Sequence, residues 1–146
     1  MDKELFFQKL VSFTAAVHQV THDLTKDVKT GDITPVQYKM LEYITVSQPV
    51  TLSEISDCLH MSMPNTSREL KKLCEKNLCE KMTDAEDRRK QVIRLSADGE
   101  VLMQQAFQRI ATLFNQRIQE TTLEDLAELE RAIDLLSSKL FYVNPR

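Results

Sequence analysis

The stretch "TLSEISDCLHMSMPNTSRELKKLCEKNL", residues 51 to 78, carries two helix starts with almost no chain between the helices they open. Thr51 followed by Glu54 reads as a capping box, and Val50 and Ile55 stand where a hydrophobic staple clamps the first turn. Leu52, Ile55 and Leu59 fall on the inward face of that helix. In "HMSMPN", Ser62 is placed to cap a second helix, and Pro64 is tolerated in its first turn. Two helices joined by three or four residues have helix-turn-helix spacing.

On the second helix Thr66, Leu70 and Leu73 share one face, with Asn77 at the end. The opposite face presents Pro64, Asn65, Arg68, Lys71 and Lys72, with Glu75 further along. Bases and amides therefore gather on the outward, N-terminal half, the part that enters a major groove when such a helix is used for recognition. Taken alone, the same pattern also describes an ordinary solvated face.

The next segment, "TDAEDRRKQVIRLSADG", adds weight to the first reading. Cys79–Thr83 and Gln91–Leu95 read as strands, the second alternating with Ile93 and Leu95 on one face and Val92 and Arg94 on the other. They flank a seven-residue loop with Arg88, Arg89 and Lys90 near its tip. A helix-turn-helix followed by such a hairpin is a winged helix, whose wing tip projects toward nucleic acid. Asp87, two residues before Arg89, is expected to brace that guanidinium by a bidentate contact. Narrow A·T-rich minor grooves attract an arginine so held. The competing reading is a surface loop whose charges cancel in solvent.

Net charge is -3, but its distribution matters more than its sum. Between His60 and Arg94 nine bases face six acids, so this segment is +3 and the remainder -6. Beyond the wing, Ser96 is placed to cap another helix with Asp98 in its first turn. Gly99 is one of only two glycines, and a close backbone approach is the expected reason for it, with simple tolerance as the alternative.

The flanks are long and amphipathic. Phe6, Leu10, Phe13, Val17, Val20 and Leu24 form one apolar stripe, and Leu126, Leu129, Ile133, Leu136 and Leu140 form another. "TPVQ" marks a helix start at Thr34 with Pro35 in the first position and Gln37 closing a capping box, and "TTLE" marks another with Thr121 and Glu124. The apolar surface of the N-terminal helix and of helices near 98–119 and 122–142 exceeds what the small middle portion covers. Pairing with a second chain accounts for it; packing of the long helices within one monomer is the other arrangement periodicity allows.

With 146 residues, the chain is long enough for one domain. No run approaches the roughly 20 apolar residues of a membrane span, and the first residues carry acids, so the expected location is cytoplasmic with no membrane partner. Cys58, Cys74 and Cys79 lack C-x-x-C spacing, which argues against a disulfide framework or a zinc ribbon and for small buried side chains. His18 and His22 lie one helical turn apart but lack an evident third metal ligand. There is no glycine-rich phosphate loop and no nucleophile–base–acid arrangement, so neither an enzyme nor a cofactor is indicated.

These motifs resemble the MarR family of winged-helix regulators. The family's wing pattern places an Asp, an Arg two residues on, a Val or Ile four further, then Leu, Ser or Thr, and Gly. Asp87, Arg89, Ile93, Leu95, Ser96 and Gly99 meet it at every spacing. The similarity spans essentially the whole chain. It implies a mainly α fold with a small β wing: a single domain over 1–146, dimerisation helices at 1–30 and 98–142, a DNA-binding lobe at 34–96, the helix-turn-helix at 51–77 and the wing at 79–96. It also implies a homodimer on double-stranded DNA, with half-sites about one helical turn apart. The family's recognition-helix arginine falls on Arg68 and its wing arginine on Arg89.

The expected DNA contacts are Ser62, Pro64, Asn65, Ser67, Arg68, Lys71, Lys72, Arg88, Arg89 and Lys90, with Asp87 as the brace. Asn77 stands where relatives commonly carry glycine at a helix C-cap, a conformation asparagine tolerates. Many relatives release DNA when a small molecule, oxidant or metal binds near the junction of the dimerisation and DNA-binding parts. The redox subgroup uses an N-terminal cysteine, and the first 57 residues here contain none. The expected function is a sequence-specific transcriptional repressor with a small-molecule effector. The alternative is a winged-helix module that docks on proteins.

Overall fold

The computed structural model describes residues 1–28 and 32–142; positions 29 and 30 of the expected N-terminal dimerisation segment, and 143–146, lie outside the described residues. Helix starts follow the capping chemistry of the sequence. Helix α1 (Lys3–Thr25) is capped by Asp2, whose carboxylate accepts the amides of Glu4 and Leu5 at 3.0 and 3.2 Å. Helix α2 (Pro35–Ser47) opens on a complete capping box: the Thr34 hydroxyl accepts the Gln37 amide at 3.2 Å, and the Gln37 side chain accepts the Thr34 amide at 3.3 Å.

Helix α3 (Leu52–Leu59) departs from the expected box. The Thr51 hydroxyl accepts the Glu54 amide, but it also donates to the Glu54 carboxylate, so that carboxylate satisfies the hydroxyl and not the Thr51 amide. Val50 and Ile55 are both fully buried, as a staple requires. Three residues then lead to helix α4 (Met63–Glu75). His60 takes the left-handed conformation (φ 53°), and the Met61 amide reaches back to the Ser56 carbonyl at 3.1 Å. These bonds satisfy carbonyls at the end of α3 and turn the chain sharply without a glycine.

Helix α4 ends the same way, with Asn77 at φ 61°. The Asn77 amide bonds the Cys74 carbonyl and the Leu78 amide bonds that of Leu73, each at 3.0 Å. Strands β1 (Cys79–Thr83) and β2 (Gln91–Leu95) follow, antiparallel, pairing Cys79 with Leu95 through to Thr83 with Gln91. Val50 makes an isolated antiparallel bridge to β2, exchanging both backbone hydrogen bonds with Ile93. The core lies beneath this sheet: Met40, Leu41 and Ile44 of α2, Val50, Ile55 of α3, Leu70 and Leu73 of α4, Cys79, Ile93 and Leu95 of the hairpin, and Met103.

Met103 belongs to helix α5 (Ala97–Arg117), and helix α6 is Leu123–Lys139. The start of α6 lies one residue later than expected. Thr122, not Thr121, is the cap, accepting the Asp125 amide at 3.1 Å, because the Thr121 amide is committed to the Ile118 carbonyl in the turn that closes α5. The chain divides into two compact units, Met1–Ala111 and Thr112–Arg146. Within the first, α1 buries none of its residues: Phe6, Phe13 and Val17 of its stripe are each about half exposed, at 49%, 47% and 47%. In the second, α6 likewise has no buried residue, and Leu129 and Ile133 are exposed.

Candidate nucleic-acid interface

Helix α4 begins where the Ser62 hydroxyl accepts the Asn65 amide at 3.2 Å, and the Ser62 carbonyl accepts both the amide and the hydroxyl of Thr66. Pro64 occupies the first turn, where a missing N–H costs nothing. Thr66, Leu70 and Leu73 are buried, which fixes the rotation of the helix. Ser62, Pro64, Asn65, Arg68, Lys71 and Lys72 consequently reach solvent, with Ser67 half-buried.

The charges on this helix are sorted by their partners. Glu69 accepts from the Gln37 amide nitrogen at 3.0 Å and from Lys72 Nζ at 3.4 Å. The Gln37 hydrogen bond, with Lys72 and Arg68 nearby, holds the Glu69 carboxyl below its ordinary range despite partial burial. Lys76 turns inward, donating to the Asp32 carbonyl and to Gln37 Oε1, each at 3.0 Å. Arg94 pairs across the hairpin with Glu80 at 3.1 Å. Among the described residues, Arg68, Lys71, Arg88 and Lys90 form no ion pair.

The wing acids shape the backbone. Asp84 Oδ1 accepts the Glu86 amide and Asp87 Oδ1 accepts the Arg89 amide, each at 3.0 Å, as in Asx turns. The Asp84 amide then bonds the Lys90 carbonyl at 2.8 Å and closes the loop. The expected bidentate brace does not form. Asp87 meets the Arg89 guanidinium only through Nε at 4.0 Å, because the carboxylate is drawn over the backbone N–H two residues on. The Arg89 side chain is 98% exposed.

The wing is anchored at its base by Gln48, whose partners lie 47 and 52 positions away, and by Ser96. Gln48 accepts the Leu95 amide at 2.9 Å and donates to Glu100 at 3.0 Å, tying α2 to β2 and α5. The Ser96 hydroxyl accepts the Gly99 amide at 3.0 Å and donates to the Asn77 carbonyl, so the expected cap forms and also holds the end of α4. A methyl group on Gly99 would run into the backbone carbonyl of Leu78, which accounts for the glycine.

A cavity of about 390 Å³ opens where α1 ends and α2 begins, lined by His22, Lys26, Val28, Ile33, Pro35, Tyr38, Lys39 and Glu42 among others. Burial raises the Tyr38 phenol to about 12, and the Glu42 carboxylate adds to the rise. Burial also raises all three thiols: Cys58, where Glu42 contributes, Cys74, and Cys79, which reaches about 12. No group of three or more metal-ligating side chains occurs among the described residues, and none of the described helices is long and apolar enough to cross a membrane.

A helix-turn-helix running directly into a two-stranded wing, with long helices before and after, defines the winged helix-turn-helix class. Residues 33–91 match the sequence model of the MarR family. Solved structures share the fold. A MarR family protein from Bacillus stearothermophilus is 18% identical, with 97% of this chain and 99% of that one covered and a TM-score of 0.73. Wild-type MarR from E. coli, in its apo form, is 23% identical over 84% of this chain and 95% of its own, at 0.60. S. aureus MepR bound to ethidium bromide is 22% identical over 89% and 94%, at 0.64. No curated protein matches the sequence.

Proposed function

We propose that the protein is a cytoplasmic, sequence-specific repressor that binds a pseudo-palindromic operator as a homodimer and releases it when a small molecule binds. The carrying observation is the sorting of charge on the winged lobe. Glu69, Glu80, Asp84 and Asp87 are engaged with named partners, while Arg68, Lys71, Arg88 and Lys90 stand exposed and unpaired. In this reading Ser62, Pro64, Asn65, Ser67, Arg68, Lys71 and Lys72 lie along a major groove, and Arg88, Arg89 and Lys90 follow the adjacent backbone and minor groove. The half-exposed stripe of α1 supports the homodimer, since a second copy would bury it. The cavity between α1 and α2 has the volume of a small-ligand site and is the place assigned to the effector.

Selection of bound fragments from random duplex DNA tests this reading, with an inverted repeat as the expected product. If each protomer neutralises about four phosphates, log affinity for the selected duplex falls with log salt at a slope near -7. Fluorescence anisotropy should show Arg68→Ala and Arg89→Ala each weakening binding about tenfold or more. A slope near zero, or indifference to both substitutions, overturns the proposal in favour of a protein-docking module.

A further inference from the structure

Gln37 is 2% exposed, lies in the first turn of α2, and uses every polar atom of its side chain. Its oxygen accepts from the Thr34 amide and from Lys76 Nζ, and its nitrogen donates to Glu69, 32 positions away on the outward half of α4. Glu69 is the only acid on α4 before Glu75, and it sits next to Arg68 and three residues before Lys72. Left free on an exposed helix face, a carboxylate there would repel phosphate and compete for the bases that bind it. The hydrogen bond from Gln37 directs it toward α2 instead, with only Lys72 attached from the outer side.

We infer that Gln37 is a positioning residue for DNA binding: by holding the Glu69 carboxylate against α2 it keeps a negative charge off the surface that Arg68 and Lys71 present to the duplex. The inference rests on the DNA-binding reading above and concerns a residue that touches no DNA. The donor is the essential part, because a buried amide can point a carboxylate inward without adding charge, whereas a lysine there would neutralise it and an acid would expel it. The second half of the contact, Lys76 on Gln37 Oε1, fixes which end of the amide faces Glu69. The lowered pKa of the Glu69 carboxyl agrees with the contact, since a hydrogen bond donated to a carboxylate favours its charged form.

The test uses the full chain and a fluorescein-labelled duplex carrying the selected inverted repeat, with anisotropy read at pH 7.5 and 5.5. Gln37→Glu, nearly identical in shape, puts two carboxylates within one hydrogen-bond distance. At pH 7.5 binding should weaken about tenfold. As pH falls, one carboxylate of the pair takes a proton and the inward contact re-forms, so the ratio of wild-type to variant affinity should shrink toward one by pH 5.5. The charges acting on Glu69 are those of Lys72 and Arg68 on its own helix; Gln37 faces it from α2, with Lys76 behind. Using the ratio cancels any pH effect that both proteins share.

Glu69→Gln in the Gln37→Glu background should restore binding at pH 7.5, because the pair can hydrogen-bond again without expelling an acid. Gln37→Leu should weaken binding several-fold, with Glu69→Gln again restoring most of it. Thermal melts of each variant separate this from unfolding, since loss of structure would not be repaired by removing one charge on α4. A ratio that stays constant with pH, or double variants as weak as the single ones, overturns the inference while leaving the DNA-binding reading intact. A wild-type protein that selects no duplex overturns both.

Discussion

The carbonyl oxygen of Leu78 accepts the Ser96 amide at 3.0 Å and lies against the Cα of Gly99. One peptide group thus joins the end of α4 to the start of α5, and side-chain bonds from Ser96 to the Asn77 carbonyl and from Asn77 to Asp98 at 2.8 Å reinforce the joint. The obstacle to a side chain at position 99 is backbone, which cannot rotate aside as a long side chain could. Gly99→Ala should therefore destabilise the fold by about 1–3 kcal/mol, the usual range for overpacking. A fall of several degrees in Tm checks it.

The wing loop owes its shape to two carboxylates that accept amides two residues on. Asp87→Ala removes the bond to the Arg89 amide at a site open to solvent, where substitutions usually change stability by within about 0.5 kcal/mol. Affinity for operator duplex should nevertheless drop, by about three- to tenfold, because the tip backbone loses its preferred turn. Melting and anisotropy on the same samples separate the two effects. Equal affinity for the two proteins would show that Asp87 does not set the wing for binding.

The stripe on α1 should be a self-association surface. Phe6→Glu combined with Phe13→Glu places charge where about half of each ring is exposed in the single chain. Burial of such a side chain is worth about 2 kcal/mol, so losing two per protomer and adding like charges should convert a dimer to monomers at micromolar concentration. Sedimentation velocity reads the change. A wild-type protein that sediments as a monomer removes the homodimer from the proposal.

Thiol chemistry should be slow. The raised thiols of Cys58, Cys74 and Cys79 hold less thiolate near neutral pH than a free cysteine does. Alkylation by iodoacetamide in the native state should run slower than with a free thiol at every site, slowest at buried Cys79, and accelerate as pH rises. Mass spectrometry of tryptic peptides gives the rates. One cysteine reacting faster than the free thiol would instead mark an activated thiol.

Cys79 and Tyr38 also make alkaline stability predictable. Both are neutral acids whose ionisation the fold opposes, raised from ordinary values of 9.0 and 10.0 to about 12. The stability that depends on their remaining protonated is fully present below the unfolded-chain values. It is lost as pH rises from about 9 toward 12, since the unfolded chain ionises first and gains free energy by doing so. The urea midpoint should hold steady to about pH 9 and then fall. Tyr38→Phe should fall less steeply above pH 10.

Much of the winged lobe was legible because its signals are local. The cap at Ser62, the staple of Val50 and Ile55, the alternation of Ile93 and Leu95 and the left-handed end at Asn77 each involve residues within a few positions of one another. Such contacts are written into spacing. The cap of α6 was misplaced by one residue because Thr121 and Thr122 are equally good acceptors. Only the turn ending α5, which takes up the Thr121 amide, decides between them.

The order of helices and wing, the inward and outward faces of α4 and the basic tip of the hairpin were determined by the sequence alone, since periodicity and capping act over one or two helical turns. The tertiary structure decided which charges remain available. Lys76, Arg94 and Glu69 look like surface charges in the sequence, yet their partners Gln37, Asp32 and Glu80 lie 14 to 44 positions away. No spacing rule spans such distances. Packing of α2 against α4, and of one strand against the other, is what brings those groups within bonding range.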